Sequence, residues 1–298
     1  MIRLGIDLGG TKIEIIALDE QGKEILRERT STPQLDYPAT LETIKNLIIE
    51  SEKSLGTQGS IGIGMPGALS VATGLVKNSN SVALNGKPLK EDLEKSLGRE
   101  IRVTNDANCF ALSEATDGAG KNAPVVFGII VGTGTGGGIV INRKVLVGPN
   151  AIAGEWGHNP LPWPQQDELP GRDCYCGKKG CIETFLSGPG MAADHLQVSG
   201  NKLTAPEIVQ LAEQGDTACE QTLQRYEDRM ARATASVINI IDPDAIILGG
   251  GMSNIKRLYH NVPELWKKYV FSDRVDTRLL PPVYGDSSGV RGAAWLWD

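Results

Sequence analysis

Several things are scarce in this sequence. No apolar run approaches the roughly 18 residues needed to cross a bilayer, so a membrane-spanning helix is not expected. There is no basic excess either: 30 Lys and Arg stand against 36 Asp and Glu in 298 residues, a formal net charge of −6. A surface built to neutralise nucleic-acid phosphates or anionic lipids is thereby disfavoured. The opening Met1-Ile2-Arg3-Leu4-Gly5-Ile6-Asp7 has no basic n-region and no small-residue cleavage site, and a cytoplasmic protein with neither nucleic-acid nor membrane partners is expected. Cysteines number five, and three of them fall within the eight residues from Cys174 to Cys181. In a reducing compartment that clustering points to metal rather than to disulfides.

What is abundant is glycine, 36 residues against a usual share of roughly 7%. Much of the surplus closes three apolar runs: Leu4 to Thr11 with Gly9-Gly10, Val125 to Gly138 with Gly132-Thr133-Gly134-Thr135-Gly136-Gly137-Gly138, and Ala245 to Gly251. The first two continue into further β-rich runs, Lys12 to Leu18 and Ile139 to Val147, and read as strand, glycine hairpin, strand. Helical spacing occurs over 37–55, 88–97, 106–118, 189–199, 204–214 and 217–240, and 287–295 reads as a capped helix. Strands at 60–65 and 101–104 alternate with these helices, so the class is α/β. At about 150 residues per domain the chain should hold two. The hinge-like Asp117 to Pro124 stretch predicts a smaller α/β domain over 1–118, joined by the C-terminal helix 287–298, and a larger one over 119–286.

Three constellations could carry chemistry. Glycine clusters let backbone N–H groups approach an anion, and Thr11, Thr133 and Thr135 add hydroxyls. Any one cluster is better explained by a tight turn; two Gly-Thr hairpins with a third glycine run suit the two ends of a nucleoside triphosphate. Neither a dinucleotide-binding fingerprint nor a P-loop stands in the right context. Asn105-Asp106 falls where a strand gives way to a helix. There Asp106 is either a helix cap or, beside a phosphate cradle, the base that takes a proton from an attacking hydroxyl. His158, Cys174, Cys176 and Cys181 supply four ligands of the types that close a tetrahedral structural zinc site, with a disulfide or unliganded buried thiols as the alternatives. Cys109 and Cys219 read as core residues. On the same loop Glu155 and Glu183 are either acceptors for sugar hydroxyls or surface carboxylates, while His195 and His260 read as solvated.

Together Asp7-Leu8-Gly9-Gly10-Thr11-Lys12, Gly64-Met65-Pro66-Gly67, Asn105-Asp106-Ala107-Asn108, Gly132 to Gly138, Gly154-Glu155-Trp156-Gly157-His158, Cys174-x-Cys176-Gly177-x-x-Gly180-Cys181 and Leu248-Gly249-Gly250-Gly251 resemble the ROK family of repressors and sugar kinases. The resemblance implies an actin-like (ribonuclease H-like) ATPase fold with two domains around a nucleotide and sugar cleft. It implies ATP on Leu4, Gly5, Ile6, Asp7, Leu8, Gly9, Gly10 and Thr11, on Thr133, Gly134, Thr135, Gly136, Gly137, Gly138, Ile139 and Val140, and on Gly249, Gly250 and Gly251. It further implies Mg²⁺ near Asp7, Asp106 as base, and a hexose against Asn80, Asn105, Glu155, His158 and Glu183. His158 would then serve zinc through one nitrogen and sugar through the other. The stretches 77–81, 156–163 and 285–295 resemble the fructokinase branch, which implies D-fructose 6-phosphate as product. An N-acetylhexosamine kinase is the alternative, and a non-catalytic sugar-sensing module a further one. With six residues before Asp7 and a net negative charge, a helix-turn-helix repressor is not expected. A homodimer is what the family implies.

Overall fold

A computed structural model describes residues 2–33, 35–79 and 81–297, the side chain of Asp286 excepted. Two compact units divide the chain: Met1–Asn122 with Gly138–Ala153 and Val283–Asp298, and Ala123–Gly137 with Gly154–Pro282. Segment 138–153 therefore lies with the first unit, whereas the sequence reading placed it in a domain over 119–286. Gly138 shows why, since a Cβ there would lie 2.7 Å from the Ala107 carbonyl oxygen. Backbone meets backbone at that point, and the segment is laid directly on the helix that begins at Asp106.

In the first unit, β1 (Arg3–Leu8), β2 (Lys12–Leu18), β3 (Glu24–Ser31), β4 (Ser60–Met65) and β7 (Arg102–Asn105) form one sheet in the order β3-β2-β1-β4-β7. A small ribbon of β5 (Ala68–Leu69) and β6 (Val76–Lys77) stands beside it. β1 runs antiparallel to β2 and parallel to β4, and β4 parallel to β7. Alternation sends Leu4, Ile6 and Leu8 to one face of β1, where they join Ile44, Leu47 and Ile48 of α1 (Tyr37–Leu55) and Leu89 and Leu93 of α2 (Leu89–Leu97) in one core. α1 starts on Asp36, whose carboxylate accepts from Ala39 N, and stops at Gly56 in the left-handed conformation, a usual pairing of polar N-cap and glycine terminator.

The opposite face of β1 carries Arg3 and Asp7 with a gap between them at Gly5. A Cβ on Gly5 would sit 2.2 Å from Val290 O, and one on Gly62 of β4 1.8 Å from Ala293 O. These glycines let α9 (Ser288–Ala294) lie flush on the sheet, and Gly292 within it lies equally close to Cys109 O in α3 (Asp106–Thr116). Ser287 makes no capping bond; instead Ser288 Oγ donates to the buried Glu114 carboxylate at 2.7 Å.

The second sheet runs β10-β9-β8-β11-β12, from β8 (Val125–Val131), β9 (Thr135–Ile141), β10 (Lys144–Val145), β11 (Ala245–Gly249) and β12 (Arg278–Leu280). Within β9 the chain passes from the second unit to the first. The second unit adds α4 (Glu183–Leu186), α5 (Gly188–Ser199), α6 (Ala205–Glu213), α7 (Thr217–Ile241) and α8 (Leu258–Trp266). A charge network pins α7: Arg229 Nε and Arg232 Nη2 each donate to Glu168 Oε1 at 2.7 Å, and Arg229 Nη1 to Asp194 at 2.7 Å. His195, expected in solvent, is buried where α5 packs on α7, its Nδ1 2.9 Å from Thr222 Oγ1. His260 is exposed, and Cys109 and Cys219 are buried, as read from the sequence. Among the described residues no helix is long and apolar enough to cross a membrane.

Candidate active site

In the first unit the β1–β2 turn is held tight by Gly9 N donating to Lys12 O at 2.9 Å and by Thr32 Oγ1 donating to Gly9 O at 2.7 Å. A Cβ on Gly9 would meet Lys12 O at 2.9 Å, so this glycine is required by the turn itself. Gly10 and Thr11 stand exposed at the tip. Leu4, Gly5, Ile6 and Leu8, expected on the nucleotide, are corrected: the three large side chains are core, Gly5 lies under α9, and β1 is paired on both edges. Asp7 is the exception in that strand. Burial, then the negative charges of Asp106 and Glu14, push its carboxyl up to about 6, partly opposed by Lys12 and Arg29. Sequence reasoning missed Glu14, which is 1% exposed, pairs in register with Asp7, and is neutralised by Arg29 at 2.7 Å and by Arg27.

Asp106 follows β7 directly, exposed at the first position of α3. The capping position belongs to Asn105, whose Oδ1 accepts from Ala107 N at 2.8 Å while Nδ2 donates to Gly67 O at 3.0 Å. Each end of the Asn105 amide thus makes one bond to backbone, which leaves the second Nδ2 hydrogen for the sugar contact expected there. Asp106 also accepts from Ala107 N through Oδ1 at 2.8 Å. Carboxylates at Asp7 and Asp106, near enough for one to raise the other, make an oxygen donor set suited to a hard divalent cation. Asn80, expected on the sugar, lies outside the described residues.

The second unit contributes the other glycine hairpin. Glu183 Oε2 accepts from Thr135 N at 2.8 Å, Gly132 N donates to Gly134 O at 2.9 Å, and Gly188 N donates to Gly132 O at 2.8 Å. Glu183, expected on the sugar, therefore fastens the hairpin. Thr135 Oγ1 is buried there with no hydrogen-bond partner among the described residues, which leaves a hydroxyl for a ligand, and Thr133 and Gly134 are at the turn. Beyond it the expected nucleotide contacts are corrected to packing. Gly136 O accepts from Trp156 Nε1 at 3.1 Å, a Cβ on Gly137 would lie 2.9 Å from Gly154 O, Gly138 lies on α3, and Ile139 and Val140 belong to β9, Val140 in its core. Gly249 ends β11 buried; Gly250, at φ 77°, would clash with Val131 O at 2.4 Å if it carried a Cβ, and Gly251 has open space.

The metal ligands converge. Donor atoms of His158, Cys174, Cys176 and Cys181 all lie within 4.8 Å of one another, with Cys176 Sγ 3.6 Å from Cys181 Sγ and Cys174 Sγ 3.6 Å from His158 Nδ1. A zinc tetrahedron with Zn–S of about 2.3 Å and Zn–N of about 2.1 Å has edges of about 3.6 to 3.8 Å, so the group fits. The second nitrogen, Nε2, does not point into open solvent for a sugar; it lies 2.9 Å from Tyr175 Oη. Tyr175 carried no signal in the sequence. Glu155 is exposed just before His158, and Trp163, part of the loop that suggested fructose, is stacked on Tyr269 at 5.6 Å.

The chain matches the ROK family over residues 3–298. It is 40% identical over 296 residues to an N-acetyl-D-glucosamine kinase of Vibrio vulnificus (strain YJ016), with 98% of each chain covered. To the N-acetyl-D-glucosamine kinase of Salmonella gallinarum (strain 287/91 / NCTC 13346) it is likewise 40% identical, with the same coverage. Among solved structures, the ROK hexokinase from Thermus thermophilus superposes with a TM-score of 0.88 at 29% identity, covering 99% of this chain and 97% of that one. A ROK family glucokinase from Streptomyces griseus, in complex with glucose and AMPPNP, superposes with a TM-score of 0.75 at 26% identity, covering 99% and 98%. These neighbours carry the actin-like ATPase fold expected above, and the relatives at 40% identity bear the name of the N-acetylhexosamine alternative rather than of the fructokinase branch. The chain belongs to the ROK family.

Proposed function

We propose that the protein phosphorylates an N-acetylhexosamine, N-acetylglucosamine first, with ATP and Mg²⁺. The observation that carries this reading is the 40% identity over 98% of both chains to N-acetyl-D-glucosamine kinases. Asp106 supports it, standing exposed at the carboxyl end of a parallel strand, where ligands of open α/β sheets gather. In this reading Asp106 orients the attacking sugar hydroxyl and takes its proton as the oxygen reaches the γ-phosphorus. Asp7 holds Mg²⁺, which when bound supplies charge neutralisation at the phosphates. Exposed backbone at Gly10 and Thr11, the Thr133-Gly134 turn and the unpartnered Thr135 hydroxyl bind phosphate oxygens. Zinc on His158, Cys174, Cys176 and Cys181 braces the loop that bears Glu155. The two carboxylates at Asp7 and Asp106 favour an enzyme over a sugar sensor, since a sensor has no use for a base beside a cation site.

The test is sugar-dependent ADP release with Mg-ATP, comparing kcat/KM for N-acetylglucosamine, N-acetylmannosamine, glucose, mannose and fructose. A preference for N-acetylglucosamine is expected. A preference for fructose would return the protein to the fructokinase branch, and no turnover with any sugar would make it a sensor.

A further inference from the structure

The three thiols of the metal group are unequally placed. Cys176 is exposed, whereas Cys174 and Cys181 are buried. Cys174 Sγ lies 3.6 Å from His158 Nδ1, while Cys176 Sγ lies 3.6 Å from Cys181 Sγ. An oxidant arriving from solvent therefore meets Cys176 first, and Cys181 is the partner held beside it. The turn that joins the two has Gly177 at φ 85° and Gly180 at φ 69°, and a Cβ on Gly177 would touch nothing. Backbone of this kind adjusts readily, and joining the sulfurs asks only that they close from 3.6 Å to about 2.0 Å. The pair that completes the zinc site is thus also a pair that can leave it together.

We propose that the metal loop is a reversible oxidation site, at which a hydroperoxide joins Cys176 to Cys181 and expels the zinc. The Cys176 thiolate attacks one peroxide oxygen, the O–O bond breaks, and the other oxygen takes a proton and leaves, as water when the oxidant is hydrogen peroxide. The Cys181 thiolate then attacks the sulfenic sulfur of Cys176. The S–O bond breaks, and that oxygen leaves as water with a second proton. Each thiolate has given up one electron, and the peroxide has taken both. His158 and Cys174 remain, two ligands where a structural zinc takes four. The change is passed on through the chain, because Cys181 lies just before α4: Thr184 N and Oγ1 both donate to Cys181 O, at 2.9 and 2.7 Å, and Glu183 Oε2 accepts from Thr135 N in the glycine hairpin at 2.8 Å. Drawing Cys181 towards Cys176 and freeing His158 slackens that hold on the hairpin. In the kinase reading above, on which this last consequence rests, the slack hairpin receives phosphate less well and turnover falls.

Zinc-bound wild-type protein is treated with hydrogen peroxide and followed by four readouts. These are zinc release to a colorimetric chelator, peptide mapping of disulfides by mass spectrometry, hydrogen–deuterium exchange of the amides over 132–137, and sugar-dependent ADP release. About one zinc per chain should be released, with the disulfide mapped to Cys176 and Cys181. Hairpin exchange should become about fivefold faster, as for one lost hydrogen bond, turnover should fall by a similar factor, and dithiothreitol with zinc should restore all four. Purified protein that holds no zinc, a disulfide formed with Cys174 instead, zinc retained after the disulfide has formed, or unchanged hairpin exchange would each overturn the proposal. So would turnover that oxidation leaves as it was. Protein that shows the release, the pairing and the faster exchange but turns over no sugar before oxidation upholds the oxidation site and defeats the kinase reading alone.

Discussion

Asp7 and Glu14 face each other across the first hairpin, two acids in register on adjacent antiparallel strands. Like charges placed so are destabilising, and the fold offsets them unequally: Arg29 and Arg27 pair with Glu14, while Asp7, eased only partly by Lys12 and Arg29, is left with a carboxyl pushed up to about 6. In metal-free protein the native state holds a proton that the unfolded chain, at an ordinary 3.8, has released. Stability therefore falls as pH rises from about 4 to 6 on this account and then levels off. Asp7→Asn should abolish that slope and raise stability at pH 7 by ~3 kcal/mol at most, from the two-unit difference at about 1.4 kcal/mol each. Urea unfolding at pH 4 and pH 7 checks this, and the variant should lose turnover.

Asp106→Asn should lower kcat by 10²- to 10⁴-fold, the usual worth of a general base, with the melting temperature changed by only a few degrees. The separation is expected because Asn105 caps α3. A variant within about tenfold of the parent would remove Asp106 from the chemistry.

Zinc should be present at about one equivalent per chain in protein purified without added metal. Cys181→Ser should lose it and lower the melting temperature, since Cys181 is buried and its neighbour Pro160 bridges to it. A metal-free preparation with full activity and unchanged melting would refute the bracing role.

Glu168 gives an acid-stability prediction in the second unit. Burial raises its carboxyl, but hydrogen bonds from Arg232 and Arg229 outweigh that and hold it at about 2, below the ordinary 4.5. The group therefore contributes stability that is complete above about pH 4.5 and is lost as pH falls through about 2. Glu168→Gln should cost about 3 kcal/mol at pH 7, the lower end for breaking a buried pair, because Arg229 and Arg232 each lose one carboxylate partner and keep Asp194 and Asp228, and less as the pH approaches 2. Chemical denaturation across that range measures it.

The glycines show how far the sequence can be read. Their position at strand ends correctly located both hairpins, and periodicity placed most helices within two or three residues of their observed ends. It could not separate glycines that leave room for a ligand from those that leave room for protein. Gly251 is open and a Cβ on Gly10 would meet only Ser81 Oγ, at an ordinary 3.6 Å, whereas Gly5, Gly62, Gly137, Gly138 and Gly292 are pressed against backbone or side chains from elsewhere in the chain. Both uses ask for the same missing Cβ, and the partner is set only by tertiary packing. His195 was misread for the same reason, since the α7 face that buries it is distant in sequence. The zinc ligands were legible because four chemically distinctive side chains lie close together along the chain; Tyr175 was not, because one aromatic between two cysteines has no chemical signature until its hydroxyl is seen beside His158.

The glycine-lined bed for α9 has a consequence for the order in which the protein can mature on the ribosome. Residues 283–298 emerge only after the whole of the second unit has been translated, yet they roof the sheet made from the first strands. Until then Ile16 and Leu18, which pair in register beside Gly5 and Arg3, lack the cover that the helix provides, and the glycines leave the nascent first unit with an open groove shaped for a backbone. A chain halted before Val283 should therefore be a chaperone client, and a separate peptide of 283–298 should complement it.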